Sequence, residues 1–79
     1  MEKNLSILRD SFKELPNNIE AEQSVIGSIL VSNEIFDDLS LIISSANFYD
    51  PMHQKIFGAI EGLIYKGLLA NPITLKNHF

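Results

Sequence analysis

Apolar residues recur along this chain at offsets of three and four rather than two, a period that fits helices and not strands. Leu5, Leu8, Phe12 and Leu15 form one stripe, and Ala21, Val25, Ile26, Ile29 and Leu30 a second. Ile35, Phe36, Leu39, Ile42 and Ile43 form a third, and Met52, Ile56, Phe57, Ile60, Leu63 and Ile64 a fourth. Each stripe covers one side of a helix and leaves polar residues on the other. The expected fold class is therefore all-α: a small orthogonal bundle of three core helices and the start of a fourth, with no sheet.

The residues between the stripes are those that start and stop helices. Pro16 closes residues 1–15, an N-terminal arm too short to be a stable helix alone; it is either a frayed tail or a helix that forms on docking. Asn17 and Asn18 are N-cap candidates for the first core helix, which runs to about Val31 with Glu20 and Glu22 in its first turn, where the helix dipole favours acids. Gly27 reads as a site of close helix packing. Asn33 is placed to cap a second helix from Glu34 to about Ile43, with Asp37 and Asp38 on its outer side. Adjacent helical residues point about 100° apart, so these two acids make a poor acid/base or metal pair.

Asp50-Pro51 is the strongest start signal, an acceptor at N-cap followed by proline at the first helical position. The third helix follows to about Lys66, where Gly67 supplies the left-handed stop. Gly58 and Gly62 are a small-xxx-small pair, which in a soluble helix marks tight packing and less often a dimer seam. After a connector through Pro72, Thr74 caps a fourth helix that Phe79 ends within one turn. The expected domains are thus residues 1–15, the arm, and 16–79, an incomplete helical domain truncated at its C-terminus.

Composition narrows the function. With 79 residues the chain holds one small domain, and with no cysteine it has neither disulfide nor thiolate site. Association with other chains is the remaining route to added stability. No apolar run approaches the roughly 20 residues that span a bilayer, and charges of both signs in the first 14 residues exclude a signal peptide. Net charge is −4, and between Glu14 and Lys55 there are six acids (Glu20, Glu22, Glu34, Asp37, Asp38 and Asp50) with no Lys or Arg. That stretch repels phosphate and is not expected to bind DNA. It is either a solvated acidic face or a docking surface for a basic partner.

No catalytic, cofactor-binding or metal-ligating residue is assigned. The glycines at 27, 58, 62 and 67 do not make a phosphate-cradling G-x-x-x-x-G-K-[ST] loop, and no serine lies in a G-x-S-x-G elbow. His53 and His78 lie 25 positions apart without zinc-ligand spacing. His53 is expected to be a partly buried imidazole bonded to a loop carbonyl. Phe48-Tyr49, flanked by Asn47 and Asp50, lacks the basic neighbours of a base-stacking platform, so Phe48 is read as a core anchor.

Three stretches carry a family resemblance: Leu15 to Leu30 (LPNNIEAEQSVIGSIL), Phe48 to Ile60 (FYDPMHQKIFGAI) and Gly67 to Leu75 (GLLANPITL). Together they resemble the N-terminal domain of DnaB-type replicative DNA helicases, over about residues 15–79. The resemblance implies a cytoplasmic, all-α collar domain above a hexameric ATP-driven motor, a hub that pairs subunits and contacts primase and, in some lineages, a loader. It implies no catalytic residue here, since ATP and Mg belong to the motor domain of the parent helicase. The rest of the fourth helix, the following helical hairpin, the linker helix and the motor have no counterpart in these residues. Asn71 also stands where an acid often precedes the T-L pair, a departure expected to weaken that cap.

The leading expectation is accordingly a protein-interaction and ring-organising domain of a replicative helicase, non-enzymatic in itself, that leaves apolar surface uncovered. The alternative is a stand-alone helical adaptor without a motor. A nucleic-acid-binding module, which would show steep salt dependence on single-stranded DNA, is disfavoured by the acids of residues 20–50.

Overall fold

Three of the four described helices begin where a side-chain acceptor stands ready for free backbone amides. In a computed structural model that describes residues 18–79, α1 spans Ile19–Val31, α2 Glu34–Leu39, α3 Pro51–Tyr65 and α4 Pro72–His78. A single 3-10 turn, Ser45–Asn47, lies between α2 and α3, and no strand occurs among the described residues. Expectations for the arm and for Asn17 lie outside the described residues.

The caps explain most boundaries. Asn18 accepts from the Ala21 amide at 2.9 Å and opens α1. Asp50 accepts from the amides of Met52 and His53, and Pro51 takes the first position of α3. Gly67, at φ 77°, closes α3: its amide donates to the Ile64 carbonyl and that of Leu68 to the Leu63 carbonyl, both at 2.9 Å. This pair of bonds satisfies two terminal carbonyls and requires a left-handed residue at its centre.

The start of α4 corrects the expectation. The cap is Asn71, not Thr74. Asn71 Oδ1 accepts from the amides of Ile73 and Thr74, while Thr74 Oγ1 accepts from the Asn71 amide, all at 2.9 Å. Asn71 therefore builds a reciprocal capping box instead of weakening one, and Pro72 fills the first helical position as Pro51 does in α3.

α2 is also shorter than its periodicity suggests. Beyond Leu39 the amides of Leu41 and Ile42 bond three residues back, to Asp38 and Leu39, so the last turn tightens. Leu41, Ile42 and Ile43 cannot all face inward; Ile43 is buried while Ile42 is 47% exposed. Met52, expected inside, is 57% exposed, because the buried side of α3 runs one residue later, through His53, Phe57, Ile60 and Leu63.

Three phenylalanines join the helices. The Phe57 ring lies 5.0 Å from that of Phe48 and 5.5 Å from that of Phe36, tilted near 40° in both pairs, a favourable offset geometry. Val25 and Ile29 of α1, Ile60 of α3 and Leu75 of α4 complete the same core. Gly27, Gly58 and Gly62 do not mark the tight packing expected of them within the described residues. A Cβ added at Gly27, Gly58 or Gly62 would meet no atom within 4 Å, so no close approach within the described residues requires them.

Candidate functional site

Glu22 stands three, four and seven residues before Val25, Ile26 and Ile29, in register with the buried side of α1. His53 stands in the same relation to Ile56, Phe57 and Ile60 on α3. Packing α1 against α3 therefore brings a carboxylate and an imidazole together inside, at 2% and 8% exposure. Glu22 Oε1 lies 2.8 Å from His53 Nδ1. A carboxylate only accepts, so Nδ1 carries the hydrogen and donates it.

The carboxylate does more than hold the ring. Its Oε2 accepts from the Tyr49 amide at 2.7 Å, and Oε1 also accepts from the Asp50 amide at 3.3 Å. The same loop is tied from α3, where Gln54 Nε2 donates to the Phe48 carbonyl at 2.7 Å. These bonds seat Phe48 edge-on to the His53 ring, 6.4 Å between centroids, and press it onto Phe57. Burying a charge costs several kcal/mol unless it is paired and fully hydrogen-bonded, and Glu22 meets that condition with three donors from one short segment.

His53 is thus bonded to a carboxylate, where a loop carbonyl was expected. Of the six acids between Glu14 and Lys55, Glu22 is buried and Asp50 caps α3, while Glu20, Glu34, Asp37 and Asp38 are exposed. The register of Glu22 on its stripe was the signal that marks it as an interior group. No cluster of three or more His, Cys, Asp or Glu side chains suited to a metal ion occurs among the described residues. His78 lies exposed on α4, far in sequence from His53, beside the Phe79 ring.

A second polar cluster closes the opposite end of α1. Asn33 was expected to cap α2, but its backbone is helical and its side chain makes no cap bond. Instead Nδ2 donates to the carbonyls of Ile29 and Ala70, at 2.7 and 2.9 Å, and Oδ1 accepts from the Ala70 amide at 2.8 Å. One amide group so pairs with both backbone groups of Ala70 and docks the α3–α4 connector on the α1–α2 corner. Beside it, Tyr65, Leu68, Leu69 and Ile73 stay more than half exposed, along with Leu41 after α2. No described helix is long and apolar enough to cross a membrane.

These features define an all-α module whose polar groups cross-link its helices and whose apolar side chains remain partly uncovered. Residues 14–79 match the family described as DnaB-like helicase N terminal domain, and the chain belongs to that family. It is 47% identical over 74 residues to the replicative DNA helicase DnaB of Rickettsia typhi, an overlap of 94% of this chain and 14% of that protein. The DnaB helicase of Buchnera aphidicola is 40% identical over 74 residues, covering 94% of this chain and 16% of the relative. That of Mycobacterium leprae is 35% identical over 66 residues, 84% of this chain and 11% of the relative. The chain spans about one seventh of the length of the Rickettsia typhi relative. No solved structure matches it significantly.

Proposed function

We propose that this chain is the N-terminal interaction and ring-organising domain of a replicative DNA helicase that unwinds duplex DNA at the replication fork. The observation that carries this reading is the family match across residues 14–79. Two of the resembling stretches, EAEQ on α1 and FYDPMH leading into α3, meet physically at Glu22, Tyr49, Asp50 and His53, which supports a shared fold and not a chance similarity of composition. ATP and Mg act in the motor domain of the parent protein, while these residues contribute no catalytic group and no direct DNA contact. Other helicase subunits, primase and, in some lineages, a loader are the proposed partners, in the cytoplasm. Exposed apolar residues such as Leu68, Leu69, Ile73 and Phe79 fit an association role.

Light scattering and a primase pull-down on the full-length protein test this. The full-length protein is expected to form a multimer that retains primase, and deletion of residues 1–79 to reduce both while ATP hydrolysis persists. A full-length protein that neither self-associates nor retains primase overturns the proposal.

A further inference from the structure

We draw no further inference here: the strongest candidate, the set of exposed apolar residues Tyr65, Leu68, Leu69 and Ile73 where α3 passes into α4, is an unpartnered face, and nothing in the structure shows what covers it.

Discussion

Glu22 and Asn33 tie opposite ends of α1 to distant parts of the chain, 31 residues on at His53 and 37 residues on at Ala70, by different chemistry. Asn33 presents a donor and an acceptor, so a single backbone residue satisfies it in both directions. Glu22 only accepts, so the fold must aim three donors at it. The amide is half-buried and neutral; the carboxylate is buried. Removing either leaves backbone groups unpaired, but only at the Glu22 end does a buried charge organise the partners. The two ends should therefore break at different cost.

The largest effect is expected for Glu22→Ala, which strands the His53 ring and two loop amides: a loss of about 3–5 kcal/mol in urea unfolding followed by circular dichroism. A domain of this size has a total stability of only ~0.05–0.15 kcal/mol per residue, so this loss removes a large share of it. A loss no greater than that of an exposed ion pair, about 0–1 kcal/mol, would show that the carboxylate does not hold the loop.

Asn33→Ala is expected to cost about 2 kcal/mol, the penalty for orphaned backbone groups that water partly reaches. Hydrogen exchange separates the two ends. The Ala70 amide should lose protection in this variant while the Tyr49 amide keeps it. Equal loss at both sites would mean that the two ends open as one unit and that the contrast drawn between them is wrong.

Gly67→Ala places a side chain at φ 77°, a left-handed conformation that costs about 1–2 kcal/mol for an L-residue, and should lower the melting temperature without altering exchange at Tyr49. Gly27→Ala should act in the opposite sense. Nothing lies within 4 Å of its would-be Cβ, so the better helix former should stabilise α1 by about 1 kcal/mol. If Gly27→Ala destabilises instead, some contact beyond the described residues needs the bare backbone.

The legible parts of this molecule are those where cause and effect lie within one helical turn. Asp50-Pro51 and Gly67 act on neighbours two to five residues away, and both were readable without the fold. Asn71-Pro72 carries the same signal as Asp50-Pro51, so the start of α4 is equally legible, although Thr74 competes with Asn71 as a cap when the sequence is read alone. The end of α2 was only partly legible. Period placed Leu39 and Ile43 inside and left Leu41 off the stripe, as found, but it gave no sign of the tightened turn after Leu39 that leaves Ile42 47% exposed.

The polar clusters divide along the same line. The stripe position of His53 points it inward, as expected; Glu22 occupies the same register on α1, but it was expected on an acidic outer face, and its 2% exposure corrects that. Composition and period likewise determined the all-α class and the lack of a phosphate loop in these residues. That Glu22 meets His53 and the Tyr49–Asp50 amides, and that Asn33 serves Ala70 in preference to its own helix, were decided only by tertiary packing. Local rules act over i to i+4, whereas these partners are separated by 27 to 37 residues and are chosen by how α1 crosses α3 and where the α3–α4 connector lands.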